Sequence, residues 1–182
     1  MKHSRHLGVI DLEYTWDKFL SDLSVQEPYV IGPNEEREQQ GASRPDDLRA
    51  TQQLWKKAGY KSVADGGSAK WHMYFGGVNF DISLLDSVFE QLGVTDLHAC
   101  WVSEVAPGYC FPWHIDQHPA HCNNKPRFHI HLSKPNTGHM FIIEDEYYLD
   151  QPQGSAYVWN DPFAWHAGYN GGTTIKWLLS II

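Results

Sequence analysis

The stretch Arg127-Phe128-His129-Ile130-His131-Leu132-Ser133 alternates polar and apolar residues. Successive side chains of a β-strand point to opposite faces, so this period of two predicts a strand over Arg127–Ser133. Arg127, His129 and His131 would share one face of that strand, and such a basic row is unusual in a protein core. The row suits a face that meets an anionic ligand. The alternative is an outward strand face in contact with water.

Short β-rich runs of the same kind fill the chain from residue 96 onward, separated by Pro, Gly, Asn and Asp turns. Eight runs at this spacing predict a mainly β fold, namely a double-stranded β-helix, which is a cupin-like jelly roll. The predicted strands are Leu97–Val105, Tyr109–Ile115, Arg127–Ser133, His139–Ile143, Tyr147–Leu149, Ala156–Asn160, Trp165–Tyr169 and Thr173–Ile181.

Residues 1–95 carry helix signals instead. Apolar residues at helical spacing predict three helices, Trp16–Leu23, Leu48–Lys57 and Ile82–Leu92. Thr15 and Asp81 are the predicted N-caps of the first and third helices, and Gly93 is the stop signal of the third. We therefore expect one domain over residues 1–182, in which a helical N-terminal support region (1–95) packs against one sheet of a β-helix core (96–182).

Residues 32–47 form a polar tract without an apolar period, punctuated by Gly and Pro. This composition predicts a loop. A solvated excursion is the plainer interpretation, and a substrate lid is the alternative.

The composition limits the partners and the compartment. The formal net charge of -8 opposes binding to phosphate backbones and anionic lipid, so nucleic acid and membrane are not expected as partners. The three cysteines are odd in number and form no CxxC pair, which argues against a disulfide framework and favours a reducing compartment. The polar N-terminal stretch has no signal-peptide pattern, so a cytoplasmic location is expected.

Two histidines and one aspartate form a candidate metal site. His114 and Asp116 are two residues apart at the end of the second predicted strand, so both side chains face the same side. His166 follows 49 intervening residues later and opens the seventh strand. Because a jelly roll places its second and seventh strands side by side, the three side chains would meet at the barrel mouth. Such a set can hold one face of an octahedral Fe(II) and leave positions for substrate and O2.

Further residues in the C-terminal half accompany this triad. They are Ser103 with Pro107-Gly108, Pro112-Trp113-His114, Arg127-Phe128-His129, Gly154, Asp161 and Phe163 before His166, and Lys176 ten residues after His166. Together they resemble the aspartyl/asparaginyl β-hydroxylase family within the Fe(II)/2-oxoglutarate-dependent oxygenases. The likeness runs from Ser103 to Lys176 and leaves the first 95 residues without a counterpart.

The resemblance implies a dioxygenase that uses Fe(II), 2-oxoglutarate and O2 and releases succinate and CO2. The expected substrate is an amino acid, or an amino-acid residue in a peptide or protein, which would be hydroxylated. The metal would be held, and the catalytic centre formed, by His114, Asp116 and His166.

The 2-oxoglutarate co-substrate is a dianion, and its far carboxylate needs a cation inside the barrel. Lys176 lies in the apolar run Thr173–Ile181, where an unpaired ammonium is costly and a bound carboxylate would offset that cost. By the resemblance, Ser103 and Lys176 bind this far carboxylate. Arg127 and His129 would lie near the C1 carboxylate. The alternative is that Lys176 reaches solvent or pairs with an acid.

Two positions depart from the family pattern. The best-known animal members carry glycine where this chain has Asp116, so this chain has a full set of three metal ligands. Lys176 stands where the family usually has arginine, so two parallel hydrogen bonds give way to a point-charge contact. Neither change affects the reaction class. Because of both changes, however, the substrate of the known family members cannot be assigned to this chain.

Five other residues carry open interpretations. His118, His121 and Cys122 suggest a zinc cluster, but they lack a matched second ligand pair, which favours a loop near the pocket. His131 points either to substrate or to water. His139 either lines the pocket or lies on a strand surface.

Two other functions use the same barrel. One is a cupin-like module that binds a metal or a small acid, and the other is a metal-dependent isomerase or lyase. Ser103, Arg127 and Lys176 favour the oxygenase, because a plain metal site needs no binding site for a dianion. The sequence leaves the substrate and the oligomeric state open.

Overall fold

The computed structural model describes residues 3–12, 15–31, 70–114, 122, 124–161 and 163–182. The predicted helix Leu48–Lys57, the predicted loop 32–47 and three of the candidate ligand residues lie outside these described residues. Those three residues are Asp116, His118 and His121.

All eight strands predicted from residue 96 onward are present, with ends within a few residues of the predicted ones. They are β4 (Cys100–Val105), β5 (Cys110–His114), β6 (Arg127–His131), β7 (His139–Ile143), β8 (Glu146–Leu149), β9 (Ser155–Trp159), β10 (His166–Asn170) and β11 (Lys176–Ile181).

These eight strands form two facing antiparallel sheets. One sheet contains the order β9-β6-β11-β4 and the other has the order β5-β10-β7-β8. Counted from β4, these are strands 6-3-8-1 and 2-7-4-5, so the chain passes between the sheets as a jelly roll does. The predicted fold class is confirmed, and the second and seventh strands are neighbours as expected.

The N-terminal region contributes strands as well as helices, which differs from the expected helical support region. The three strands β1 (Arg5–Val9), β2 (Tyr29–Ile31) and β3 (Trp71–Phe75) extend the larger sheet to seven strands, in the order β1-β9-β6-β11-β4-β3-β2. Two of these strands are irregular or short. β2 is three residues long, and the pairing of β1 with β9 is interrupted by a register shift at Gly8. The single-domain organisation stays a prediction.

The described helices pack on the outer face of the larger sheet. They are α1 (Trp16–Leu23) and α2 (Asp86–Leu92), which a 3₁₀ turn (Ile82–Leu85) precedes. The predicted caps are present, because Thr15 Oγ1 accepts from the Lys18 amide at 3.4 Å and Gly93 ends α2 with a φ of 70°. Burial of apolar side chains on α1, at about 1.5–3 kcal/mol each, anchors that helix to the sheet.

The larger sheet therefore has two buried faces, and every residue of β6 and β11 is buried. Phe128 and Ile130 face the helices, whereas Arg127, His129 and His131 face the space between the two sheets, which is here called the barrel interior. The interior also contains an apolar cluster of Val105, Phe111, Phe141, Ile143, Trp159, Ala164 and Leu178. A row of basic groups thus lies inside the molecule, so the solvated-face interpretation is wrong.

Cys100, Cys110 and Cys122 are buried, and none of the three forms a disulfide within the described residues. No helix in the described part of the chain is long and apolar enough to cross a membrane.

Candidate active site

His114 and His166 are brought together by the pairing of β5 with β10. The last residue of β5 is the register partner of the first residue of β10, and the two ring centroids are 4.2 Å apart. His166 is 5% exposed and His114 is half-buried. Two imidazoles at this separation, one from each strand, can ligate a single metal ion.

A backbone contact determines the orientation of the His166 ring. Its Nδ1 lies 3.1 Å from the Ala164 carbonyl oxygen. A carbonyl only accepts, so Nδ1 carries the hydrogen and the lone pair is on Nε2. Metal-binding histidines commonly donate from the second ring nitrogen in this way, which fixes their tautomer.

The third proposed ligand, Asp116, lies outside the described residues, so the ligand set of His114, Asp116 and His166 stays a prediction. Within the ranges that the structure describes, no group of three His, Cys, Asp or Glu residues could hold a metal ion. The two neighbouring imidazoles fit two corners of such a site. Cys122 is fully buried and makes no such group with other described residues.

Lys176 lies deep in the barrel interior, with 1% of its surface exposed. Its ammonium donates to the Met140 carbonyl oxygen and lies 5.6 Å from the centroid of the Phe111 ring and 6.0 Å from that of Phe141. Burial lowers the pKa of Lys176 to about 7. Lys176 therefore does not reach solvent, which excludes that alternative, and no acid within the described residues pairs with it.

Phe141 is the central ring of the interior, and no local pattern distinguished it from other core aromatics. His129 stacks on it at 3.9 Å, and His166 and His131 lie 6.2 and 6.1 Å from its centroid. Since Lys176 Nζ is 6.0 Å from the same centroid, no more than about 12 Å separates the buried ammonium from the His166 ring. A small dicarboxylate can span the gap between a metal at the histidines and this ammonium.

The remaining predicted residues also point into the interior. Ser103 on β4 is buried opposite Leu178, two residues along the strands from the pair formed by Val105 and Lys176. Arg127 is 2% exposed and donates from Nη1 to the Lys125 carbonyl. The structure thus brings together four of the predicted co-substrate residues in the interior: Ser103, Arg127, His129 and Lys176.

The two uncertain histidines are both buried in the interior. His139 on β7 is 4% exposed, and its Nε2 lies 3.1 Å from the Thr174 carbonyl oxygen, so the strand-surface interpretation is wrong. His131 on β6 is also 4% exposed and therefore does not point to water. Burial, followed by the charges of Lys176, His139 and His6, lowers the pKa of His131 well below its usual range. His131 is therefore a neutral imidazole near pH 7.

The strand order defines this chain as a double-stranded β-helix protein. A scan of protein-family models and a search of curated proteins both found no match. Among solved structures, the chain is similar to an oxidoreductase of the 2OG-Fe(II) oxygenase family from Burkholderia pseudomallei, with a TM-score of 0.52, 10% identity and coverage of 93% of this chain and 78% of that chain.

A second similar structure is the viral collagen prolyl hydroxylase of Paramecium bursaria Chlorella virus 1 in complex with 2OG. Its TM-score is 0.50 at 10% identity, and the alignment covers 87% of this chain and 96% of that chain. The chain therefore shares its fold with 2-oxoglutarate-dependent oxygenases. At this identity the likeness concerns the fold, and function has to be argued from the site.

Proposed function

We propose that this protein is an Fe(II)- and 2-oxoglutarate-dependent dioxygenase that hydroxylates an amino acid or an amino-acid residue in a peptide or protein. One observation carries the proposal. The buried ammonium of Lys176, which no described acid neutralises, lies in the same interior as the adjacent imidazoles of His114 and His166. A module that only holds a metal ion would not need this cation.

The proposed metal ligands are His114, Asp116 and His166. The structure supports the two histidines by their register and by the fixed tautomer of His166. Asp116 is proposed from its spacing in the sequence. When bound, Fe(II) would supply the oxidising chemistry by activating O2 with electrons from 2-oxoglutarate.

The co-substrate would lie between the metal and Lys176. Arg127 and His129 would hold the carboxylate next to the metal, and Ser103 and Lys176 would hold the far one. The burial of these groups supports the proposal, because charged hydrogen bonds are stronger when water is excluded. The apolar rings of Phe111 and Phe141 would keep water from the methylene chain between the carboxylates.

Binding of 2-oxoglutarate tests the proposal most directly. We expect the anaerobic protein with Fe(II) to develop a weak visible charge-transfer band when 2-oxoglutarate is added. Lys176→Met should still bind Fe(II) but should give no band at the same 2-oxoglutarate concentration. A wild-type protein that binds Fe(II) but neither gives the band nor binds 2-oxoglutarate in calorimetry would favour the metal-binding module.

The aerobic reaction tests the enzyme class and the substrate. Succinate should form from 2-oxoglutarate, and a panel of free amino acids and short peptides, including those with Asp and Asn, should contain members that accelerate it. The narrower likeness to aspartyl/asparaginyl β-hydroxylases rests on the residues from Ser103 to Lys176 quoted above. If only substrates without Asp or Asn accelerate succinate formation, the proposed oxygenase class stands and the narrower specificity is excluded.

We also propose a cytoplasmic location, which is supported by three buried cysteines that form no disulfide within the described residues. The net charge of -8 makes nucleic acid an unsuitable substrate, and the proposed partners are 2-oxoglutarate and an amino-acid, peptide or protein substrate.

A further inference from the structure

His131 has a buried hydrogen-bonding atom for which the described part of the chain offers no partner. The residue is 4% exposed, and none of the described residues is a hydrogen-bond partner of its Nε2. A buried imidazole nitrogen without a partner costs free energy that an apolar residue at the same position would avoid. Its polar neighbours His129 and His139 already have contacts, with Ser180 Oγ and the Thr174 carbonyl respectively.

Sheet register places His131 next to Lys176. His131 on β6 is the partner of Leu178 on β11, and Lys176 is two residues before Leu178 on the same face. The two side chains are therefore diagonal neighbours on adjacent strands, which are close enough for long side chains to meet. Both groups also lie near the Phe141 ring, whose centroid is 6.1 Å from the His131 ring and 6.0 Å from Lys176 Nζ.

Lysine alone makes an incomplete carboxylate site. The ammonium has three donors, one of which is used by the Met140 carbonyl. Unlike a guanidinium, it provides no rigid pair of parallel N–H groups that matches the two oxygens of a carboxylate. A neutral imidazole adds one directed N–H donor without a second positive charge beside the ammonium.

We propose that His131 is a further donor of the far-carboxylate site, beside Ser103 and Lys176, with its Nε2–H bonding one oxygen while the Lys176 ammonium pairs with the other. This inference rests on the proposed function, since it assumes that a 2-oxo dicarboxylate binds here. His131 then acts as a specificity-determining residue, because it selects a ligand that carries a carboxylate at the end remote from the metal. The lowered pKa of His131 is consistent with this role, because a neutral ring at neutral pH does not repel Lys176.

The main competing account is that His131 only fills space. Its ring packs edge-on against Phe141 and against Tyr157 at 5.7 Å, as an aromatic core residue would. The two accounts differ in what they predict for ligands that lack the far carboxylate.

The test compares 2-oxoglutarate with 2-oxopentanoate, which has the same carbon chain and no far carboxylate. Dissociation constants of both are measured by calorimetry on the Mn(II)-loaded protein, so that no turnover is needed. In His131→Leu, loss of a hydrogen bond to a charged group should weaken 2-oxoglutarate binding by about 10- to 100-fold. Binding of 2-oxopentanoate should change by less than about threefold, since it makes no such bond.

Two further variants control for folding and for position. His131→Gln keeps an N–H donor at a similar reach and should retain the preference for 2-oxoglutarate within about fivefold. This variant still tests the proposal if His131→Leu does not fold. His139→Gln changes an equally buried histidine whose Nε2 already has a partner, and it should leave the preference unchanged.

The outcomes separate the inference from the function on which it rests. If the wild-type protein does not bind 2-oxoglutarate, the proposed function fails and the inference fails with it. If the wild type binds but His131→Leu loses both ligands equally, or neither, His131 is a packing residue and only the inference is overturned. An equal loss of preference in His139→Gln, or a lost preference in His131→Gln, would overturn it as well.

Discussion

His166 and His114 are cross-strand partners whose rings lie 4.2 Å apart, although 51 residues separate them in the sequence. The pairing follows from the jelly roll, which brings the strand after β4 next to the strand before β11. β7 flanks β10 on its other side and contributes Phe141, whose ring lies near both His166 and Lys176. The four-stranded sheet thus supplies the metal end of the proposed site, and the seven-stranded sheet supplies the anion-binding end.

Removal of His166 should eliminate specific metal binding. We expect His166→Ala to bind Fe(II) or Mn(II) at least about 100-fold more weakly than the wild type, because it lacks one of three protein ligands. Calorimetric titration under anaerobic conditions measures this affinity. His139→Ala removes another buried histidine and should bind the metal as the wild type does. Similar affinities for wild type and His166→Ala would show that the triad is misassigned.

Replacement of Lys176 should stabilise the protein while eliminating co-substrate binding. The pKa of Lys176 is about 7 in the folded chain, against 10.5 for an ordinary lysine. The unfolded chain therefore binds more protons between these pH values, and the contribution of this group to stability rises with pH over that range. Lys176→Met has no buried ammonium and should be more stable by a few kcal/mol at pH 6, with the gain shrinking towards pH 10.

Chemical denaturation of the metal-free protein at several pH values measures this difference. A gain that stays constant from pH 6 to 10 would contradict the role assigned to burial of the charge. Lys134→Met replaces an exposed lysine that pairs with Asp17 on the surface, and it should change stability little at any of these pH values.

Proton uptake should accompany binding of 2-oxoglutarate above neutral pH. Lys176 is largely neutral at pH 8 in the free protein, and a bound carboxylate favours its charged form. We expect uptake of close to one proton at pH 8 and of almost none at pH 5.5. Calorimetry in buffers of different ionisation enthalpy counts these protons. Uptake that persists in Lys176→Met would assign the protons to another group.

The sequence predicted the strands whose signals are local and missed those that depend on distant partners. β4 to β11 are short alternating or β-rich runs bounded by turn residues, and these features can be recognised within about ten residues of sequence. β2 is only three residues long and pairs with β3, from which a long segment separates it. Trp71–Phe75 lacks clear alternation, so its membership in the sheet depends on β4, which pairs with it.

For the site, the sequence predicted which side chains share a face but not which face points inward. Arg127, His129 and His131 were grouped correctly, whereas their burial depends on the second sheet, whose Phe141 ring stacks on His129. Phe141 was not singled out, because an aromatic residue in a β-strand is usual in any core. Its position between the histidines and Lys176 is a property of the closed barrel.

Glu146 should stabilise the closure of the barrel. Its carboxylate accepts the backbone N–H groups of His3 and Ser4 at 3.0 and 3.1 Å and the Tyr148 hydroxyl at 2.7 Å. It thereby joins β8, the edge of one sheet, to the residues that precede β1, the edge of the other. Burial alone would raise the pKa of Glu146, but the hydrogen bonds from Ser4, Tyr148 and the backbone of His3 outweigh it and hold the pKa below its ordinary value.

A carboxyl with a lowered pKa contributes stability above its unfolded pKa and loses that contribution as the pH falls through the folded one. We expect Glu146→Gln to lower the free energy of unfolding by about 1 kcal/mol at pH 7 and by less at acidic pH. Asp145→Asn is the matched control, since Asp145 is exposed and its contact with His3 spans 3.6 Å. Equal losses in both variants, measured by urea denaturation, would exclude the role of Glu146 in closure.

Gly168 should be required because the Phe111 ring occupies the place of its side chain. A Cβ at this position would lie 2.0 Å from Phe111 Cζ, and Phe111 is buried with its ring 5.8 Å from that of His114. Gly168→Ala must therefore displace a ring that lies beside both the metal end and Lys176. We expect a loss of about 1–3 kcal/mol of stability from overpacking, together with weaker 2-oxoglutarate binding.

Gly171→Ala provides the control, because a Cβ there would meet nothing closer than 3.6 Å. Thermal unfolding and calorimetry should show little change for this variant. The double variant Gly168→Ala with Phe111→Leu should lose less stability than the sum of the two single variants, because the smaller side chain makes room for the added methyl group. Additive losses would show that the Gly168 effect does not act through Phe111.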